Sequence, residues 1–150
     1  MKMIKLFIFI VFLFFIALMI YFFIFSDSYQ KSMKARVKYQ LGNYKEAYSL
    51  AQEAYELDKY NKMAFSILTQ SKIAFKMLNY IDDAKNYLKD IDKIVQQKTI
   101  AKSDKMKIKV ICDVMVERYK RLNPTPLTNK ELYDECTSYY KKFKRLQDEL

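Results

Sequence analysis

A run of 20 consecutive uncharged residues constrains this chain more than any other feature. It extends from Leu6 to Phe25 and reads LFIFIVFLFFIALMIYFFIF. An α-helix rises 1.5 Å per residue, so a helix of this length covers about 30 Å, the thickness of the hydrocarbon core of a bilayer. We therefore predict one transmembrane signal-anchor helix within residues 1–25 and a separate helical domain over residues 26–150.

A cleaved signal peptide and a buried helix of a soluble domain are the alternatives to an anchor. The apolar region of a signal peptide has about 7–15 residues and precedes small residues of the A-x-A kind. Here the run is longer, and it ends in Phe25, Ser26 and Asp27. Nothing downstream is apolar enough to enclose the eight Phe residues of this segment. An uncleaved anchor is therefore the favoured interpretation.

The charges that flank the run bear on its orientation. Lys2 and Lys5 precede it, whereas Asp27 is the first charge after it. Cations next to a span favour the cytoplasmic side, although the lysines from Lys31 onward bring the two sides close to balance. We expect a single-pass protein of the inner (plasma) membrane, with residues 26–150 on the periplasmic or extracytoplasmic side.

Residues 26–150 have the apolar spacing of helices and no sustained alternation, which predicts an all-α fold. The predicted helices cover 28–41, 44–58, 62–78, 81–97, 102–122 and 129–148, in three antiparallel pairs. The breaks between them are predicted at Gly42-Asn43, 58–61, Asn79-Tyr80 and 123–126, where two prolines stand. Thr128 with Glu131 predicts a capping box for the last helix. The sequence leaves open whether the membrane helix continues into the first of these helices.

The segment from Tyr39 to Asp58 contains the most informative motif. It resembles the second half of a tetratricopeptide repeat, with pattern Tyr-x-x-Gly-x-Tyr-x-x-Ala followed by Ala-Leu-x-Leu-Asp. The positions that match are Gly42, Tyr44, Ala47, Ala54, Leu57 and Asp58, and lysine replaces the usual proline at 59. Thirty-six residues after Tyr44, Tyr80 and then Ala84 take the places of Tyr44 and Ala47, while Leu78 replaces the glycine.

The resemblance implies a short α-solenoid of about three helix pairs, matched best over 39–95, with 102–150 as a degenerate repeat or cap. In such arrays the first helix of each pair lines a concave surface that binds a peptide or a partner helix. The resemblance assigns to this partner groove Arg36, Tyr39, Phe65, Leu68, Lys72, Phe75 and Lys76. Core or inter-repeat packing is an equal alternative for Phe65 and Phe75.

The composition argues against an enzyme. The chain has no His and one Gly among 150 residues. Without His a cysteine lacks its usual base, and without further glycines there is no phosphate-binding loop. We find no metal-ligand spacing and expect no catalytic residue, no metal and no cofactor. Asp82-Asp83 is interpreted as acids at a helix N-terminus.

Cys112 and Cys136 lie 12 residues before and 12 residues after Pro124. A hairpin that turns there brings both to similar heights, so a disulfide is one interpretation. It requires Cα atoms within about 7 Å and an oxidising compartment. The other interpretation is two small core residues at a close helix contact.

The formal net charge is +10, and lysines concentrate at 98–109 and at 141–145. Solvated helix faces are the simplest explanation of these clusters. The leading functional hypothesis is a membrane-anchored scaffold or adaptor for protein–protein interaction in a bacterial envelope complex, such as a secretion, pilus or flagellar motility machine. The alternatives are a surface that binds anionic lipid or nucleic acid, nucleic acid being the less favoured partner, and a chaperone-like holder of client segments.

Overall fold

The computed structural model describes residues 2–97 and 99–149, with side chains at all of these except 2, 3 and 22–25. The described residues form helices and no strand, which confirms the all-α prediction. The helices are α1 (Lys2–Phe25), α2 (Asp27–Gln40), α3 (Tyr44–Leu57), α4 (Lys62–Val95), α5 (Lys102–Lys120) and α6 (Lys130–Asp148). Packing divides the chain into two compact units, Met1–Ser71 and Lys72–Leu150, with the boundary inside α4.

Helix α1 has the length, composition and exposure of a membrane-spanning helix. Its stretch Ile4–Tyr21 has a mean hydropathy of 2.8, and none of that stretch is buried. Phe7 and Met19, for example, are 67% and 71% exposed. Contact of this much apolar surface with water is unfavourable, whereas contact with lipid is not. Among the described residues, this helix alone meets the criteria for a span.

Helix α1 does not continue into α2. Helix α1 ends at Phe25, Ser26 is extended with φ −80° and ψ 111°, and α2 begins at Asp27. The Asp27 carboxylate lies in the first turn of α2, where the positive end of the helix dipole favours an acid. The question that the sequence leaves open is thereby answered.

Helices α2 and α3 form a tight hairpin whose turn is the predicted one at Gly42-Asn43. Gly42 has φ +78°, which a glycine adopts without a Cβ penalty, and the Asn43 side chain caps α3 by accepting from the Glu46 amide at 3.3 Å. Tyr44 is buried and meets Tyr39 edge to face at 5.2 Å. The helices approach closely because small residues fill the contact, and those fully buried are Ala35, Ala47, Ala51 and Ala54.

A buried polar cluster fixes the start of α4 against this hairpin. The Asn61 side chain is fully buried and caps α4 by accepting from the Ala64 amide at 3.1 Å. Its amide nitrogen donates to the hydroxyls of Ser28 at 2.8 Å and Ser32 at 3.0 Å. Ser28 in turn donates to the carbonyl of Ala54 at 2.7 Å. The cluster therefore connects α2, α3 and the first turn of α4 within the first unit.

The predicted break at Asn79-Tyr80 is wrong, because α4 is one helix of 34 residues. Leu78 stands where Gly42 stands in the first turn, and no Gly or Pro interrupts the segment, so the helix continues. The helices predicted at 62–78 and 81–97 are therefore not an antiparallel pair. Asp82-Asp83 lies in the middle of α4 and not at a helix N-terminus. Ala84 also follows Tyr80 by four residues, whereas Ala47 follows Tyr44 by three.

The second unit consists of the remainder of α4 with α5 and α6. The turn between α5 and α6 lies where the two prolines predict it, and Asn123 takes φ +48° there. The predicted capping box is wrong in its residue: Asn129 caps α6 by accepting from the Leu132 amide at 3.0 Å. The Thr128 hydroxyl instead accepts from the Thr125 amide at 2.9 Å, inside the turn.

A cluster of tyrosines connects α4, α5 and α6 in the second unit. The ring of Tyr119 stacks on Tyr140 at 4.4 Å and on Tyr133 at 6.1 Å. It also meets Tyr80 of α4 at 6.1 Å, and its hydroxyl bonds to those of Tyr133 and Thr137 at 3.0 and 2.8 Å. The Tyr80 hydroxyl is buried and has no hydrogen-bond partner among the described residues. Burial is the main reason that the pKa of Tyr80 is raised.

Candidate functional site

An exposed aromatic cluster lies at the turn between α3 and α4. Tyr55 contacts both Lys59 and Phe65, and Tyr60 lies in the same turn. We call these four residues, all in the first unit, the aromatic cluster. The rings of Tyr55 and Phe65 lie 5.7 Å apart with a 46° tilt. The ammonium of Lys59 lies 4.6 Å from the centre of the Tyr55 ring, within the range of a cation–π contact. The cluster thus combines apolar surface with a positive charge.

The backbone of the turn explains how Tyr60 is presented to solvent. Helix α3 ends at Leu57, and the Asp58 side chain accepts from the Tyr60 amide at 2.8 Å, a local bond typical of turns. The Asp58 carbonyl accepts from the Asn61 amide at 3.2 Å. Because the side chain of Asn61 donates to the buried hydroxyls of Ser28 and Ser32, this end of the turn is held against α2. Tyr60, which lies in this turn, is 93% exposed.

Exposed aromatic residues of this kind are typical of protein-binding surfaces. Phe65 is 56% exposed and Leu57 is 58% exposed, although both are large and apolar. Tyrosine and phenylalanine supply large contact area at a low cost in side-chain entropy, and they dominate the binding energy of interfaces. A cation beside them favours a ligand that has acidic as well as apolar groups.

The residues of the predicted partner groove are distributed over both units. In the first unit, Arg36 is exposed on α2, Tyr39 packs on Tyr44, Leu68 is half-buried and Phe65 belongs to the aromatic cluster. In the second unit, Lys72, Phe75 and Lys76 are exposed on α4, and Phe75 is 37% exposed. Their common function as a groove stays a prediction.

Sequence reasoning finds one member of the aromatic cluster and misses the others. Phe65 is assigned to a binding surface by the repeat resemblance. Tyr55 reads as part of the apolar face of α3, and Lys59 and Tyr60 read as a polar break. The signal that could have identified them is an aromatic residue inside a four-residue turn, 58–61, between two amphipathic helices.

Both cysteines are buried free thiols. The structure therefore agrees with the interpretation of two small core residues, and it has no disulfide between them. Cys136 donates to the Met77 carbonyl at 3.7 Å, where α6 packs on α4. Burial, with the nearby Glu135 charge, raises the pKa of Cys136 to about 12, and burial also raises the pKa of Cys112. Such thiols are unreactive in the folded protein.

The second lysine cluster lies along an open surface depression of α6. The residues that line this depression, all on α6, are Asp134, Thr137, Ser138, Lys141, Lys142 and Arg145. Arg145 lies 3.6 Å from Glu149, and Lys142 lies 5.1 Å from the centre of the Tyr139 ring. In the first lysine cluster, Lys102, Lys105, Lys107 and Lys109 are exposed on α5, while Lys98 lies outside the described residues.

Within the described part of the chain, no three His, Cys, Asp or Glu residues lie close enough to hold a metal ion. Comparison with protein-family models, with curated proteins and with solved structures finds no match.

Proposed function

We propose that this protein is a membrane-anchored adaptor that binds another protein through the aromatic cluster. The observation that carries the proposal is the combination of an apolar helix α1, exposed along Ile4–Tyr21, with a packed helical unit whose turn exposes Tyr60 and Phe65. The anchor places the unit at a membrane, and the aromatic cluster provides the contact surface. The chain would act as a structural or assembly component of a bacterial envelope complex.

The proposed orientation places residues 26–150 outside the cytoplasm. Lys2 and Lys5 precede the apolar stretch, while Asp27 begins α2 directly after it. Cations beside a span are retained on the cytoplasmic side, which supports this direction. The repeat resemblance of residues 39–58 supports a protein ligand, because such hairpins bind peptides and helices. The tight alanine contact between α2 and α3 is the packing that this resemblance implies.

Affinity purification from solubilised native membranes tests the adaptor function. We expect the full-length chain to co-purify one or a few proteins in fixed ratio. Phe65→Ala and Tyr60→Ala should reduce that recovery at least about tenfold, since each removes an exposed aromatic contact of hot-spot type. Met33→Ala, which removes a 51% exposed side chain on α2, serves as the matched control and should leave recovery unchanged. Recovery of no protein partner would contradict the proposal.

Anionic lipid is the second candidate ligand, and the cationic surface depression of α6 favours it. Three cations, Lys141, Lys142 and Arg145, line that depression together with one acid, Asp134. Electrostatic attraction to phosphate groups would fall steeply with added salt. The full-length chain in nanodiscs should then recruit anionic vesicles at low salt, and a Lys141→Gln, Lys142→Gln variant should not.

A further inference from the structure

Helix α5 of the second unit has an exposed face with an apolar stripe along it. Met106 is 58% exposed, Val110 is 53% exposed and Val114 is 44% exposed. These three residues are spaced i, i+4 and i+8, so their side chains follow one another on one face of the helix. Val95, the last residue of α4, and Ile100, just before α5, are exposed as well. None of these residues belongs to the aromatic cluster.

Exposed apolar residues of the second unit concentrate in this part of the chain. Seven of its described large apolar residues are exposed, and five of them lie within 95–114, the other two being Phe75 and Leu127. Single exposed apolar residues are ordinary on a protein surface, whereas a row of them marks a surface that contacts something other than water. The stripe on α5 is therefore a candidate contact surface, and its charged neighbours indicate what it contacts.

Three lysines border the stripe on the surface of α5 itself. Lys102 precedes Met106 by four residues and Lys109 follows it by three, and both spacings make neighbours on a helix. Lys105 lies between them on the same side, three residues after Lys102 and four before Lys109. All three are exposed and make no ion pair with any described residue. Each ammonium is therefore available to a ligand that also covers the stripe.

The acids near the stripe already have partners. Asp104 pairs with Lys107 at 3.6 Å, and Asp90, on the neighbouring surface of α4, pairs with Lys93 at 2.9 Å. Asp113 is half-buried and accepts a hydrogen bond from a side chain of α6. The charge that remains unpaired at this face is thus that of the three lysines, which favours an anionic ligand.

We infer that this face of α5 binds the anionic surface of the bilayer that anchors α1, with the apolar stripe at the boundary between headgroups and acyl chains and the three lysines among lipid phosphates. An apolar stripe bordered by lysines is typical of helices that lie in a membrane interface, because the long lysine stems cover apolar surface while the ammonium groups reach the headgroups. This lipid contact is independent of the adaptor function and of the lysines of α6.

The anchor favours a bilayer over the other ligands that an apolar and cationic face could bind. Helix α1 is long and apolar enough to span a membrane, so the same chain keeps a bilayer at high effective concentration. A second copy of the chain would instead bring two sets of unpaired lysines together, which is unfavourable. A protein partner would have to compete with a lipid surface that is always close to the chain.

The test uses the full-length chain in nanodiscs that hold one chain each. A Val110→Cys variant is labelled with the environment-sensitive dye NBD, and the buried native cysteines stay unlabelled. Discs with anionic lipid should give at least about a twofold higher NBD intensity than zwitterionic discs, because the dye leaves water for the headgroup boundary. A rise in salt from about 50 to about 500 mM should reverse most of this gain. Equal intensities in the two kinds of disc would overturn the inference.

Removal of charge tests the role of the lysines. In the labelled protein, the triple variant Lys102→Gln, Lys105→Gln, Lys109→Gln should lose the gain in NBD intensity, since it lacks the unpaired cations of this face. The matched control removes three other exposed lysines and should retain the gain; its substitutions are Lys45→Gln, Lys62→Gln and Lys130→Gln. Circular dichroism verifies that both variants remain folded. Equal loss in the two triple variants would show an effect of net charge alone and overturn the inference.

A dye at another position shows whether the response is specific to α5. NBD on a Ser49→Cys variant, at an exposed position of α3, should give the same intensity in both kinds of disc. A gain at position 110 that Lys141→Gln with Lys142→Gln abolishes, and that the triple variant of α5 retains, would assign the lipid contact to α6 and overturn the inference. A gain that requires two chains per disc, whatever the lipid, would make a second copy the ligand and also overturn it.

The outcomes for α5 and for the adaptor function are separable. A protein partner recovered from native membranes, without a lipid response at position 110, would leave the adaptor function standing and overturn the lipid contact. A lipid response without any recovered partner would do the reverse. Protection of the Val110→Cys thiol from maleimide in native membranes, without a lipid response in discs, would assign the stripe to a protein partner and overturn the inference.

Discussion

The side-chain amide of Asn61 donates a hydrogen bond to the hydroxyl of Ser28 at 2.8 Å, across 33 positions of sequence. Both residues are buried, at 0% and 3% exposure, in a unit whose buried apolar residues are mostly alanines. The bond connects the first turn of α2 to the cap of α4, directly beneath the turn that presents Tyr60. The stability of the first unit and the position of its exposed aromatic residues therefore depend on the same side chain.

Replacement of Asn61 by Ala should destabilise the first unit by about 3 kcal/mol. The variant loses the cap of α4, worth about 1 kcal/mol, and leaves the buried hydroxyls of Ser28 and Ser32 with fewer partners. Urea unfolding of the full-length chain in mild detergent, followed by circular dichroism, measures the change. Asn79→Ala, at an exposed position within α4, is the matched control and should be neutral or slightly stabilising. Equal effects of the two substitutions would refute this account.

The tyrosine cluster predicts opposite effects for two Tyr→Phe substitutions. Tyr80→Phe removes a buried hydroxyl that has no described partner, so the free energy of unfolding should stay the same or rise by about 1 kcal/mol. Tyr119→Phe removes a hydroxyl that bonds to Tyr133 and Thr137, so the free energy of unfolding should fall by about 1 kcal/mol. The same urea experiment measures both. A marked loss of stability in Tyr80→Phe would mean that its hydroxyl has an acceptor.

The free energy of unfolding should decrease at alkaline pH because a thiol and a phenol, Cys136 and Tyr80, are buried in the second unit. The pKa of Cys136 is raised to about 12, mainly by burial, and burial also raises the pKa of Tyr80. The unfolded chain loses these protons at lower pH than the folded chain does. The contribution of these two protonated groups to stability is therefore fully present below about pH 8.5, and it is lost progressively as pH rises toward 12.

Urea midpoints measured between about pH 8 and pH 11 test this dependence. A double variant, Cys136→Ala with Tyr80→Phe, should show a shallower decline than the parent chain. Tyr60→Phe, which alters a fully exposed tyrosine, should retain the parent slope. Superimposable pH profiles for all three proteins would rule out the buried groups as the cause.

The turns of the fold could be predicted where glycine or proline determines the backbone conformation. They could not be predicted where the turn was inferred from similarity to another segment and a single residue differs. The turn at Gly42 and the turn at the two prolines follow from backbone preferences, and the structure has both. The predicted turn at Asn79 depended on analogy with Asn43. Leu78 stands in place of the glycine that would favour such a turn, so the helix continues through this position.

The aromatic cluster was harder to predict, because its contacts cross a turn. Tyr55 and Phe65 are ten residues apart on different helices, and nothing in their spacing shows that the rings meet. The side-chain network around Asn61 is equally invisible in the sequence, since Ser28 and Asn61 each read as an ordinary capping or turn residue. Long-range contacts of this kind are determined by packing and not by local propensity.

The proposed orientation, with residues 26–150 outside the cytoplasm, predicts which side of the membrane Tyr60 occupies. The Tyr60→Cys variant has an engineered thiol at a position that is 93% exposed, while both native cysteines are buried. A membrane-impermeant maleimide should label this variant in spheroplasts before lysis and should leave the parent chain unlabelled. Labelling that requires lysis would place residues 26–150 in the cytoplasm.

Photo-cross-linking from position 60 in native membranes tests the adaptor function most directly. With benzoylphenylalanine in place of Tyr60, irradiation should give one discrete adduct of higher mass that contains a second protein. That adduct should disappear when Phe65→Ala is added and persist when Met33→Ala is added instead. Irradiation that yields no protein adduct, or the same adduct in both double variants, would contradict the assignment of the aromatic cluster as a protein-binding surface.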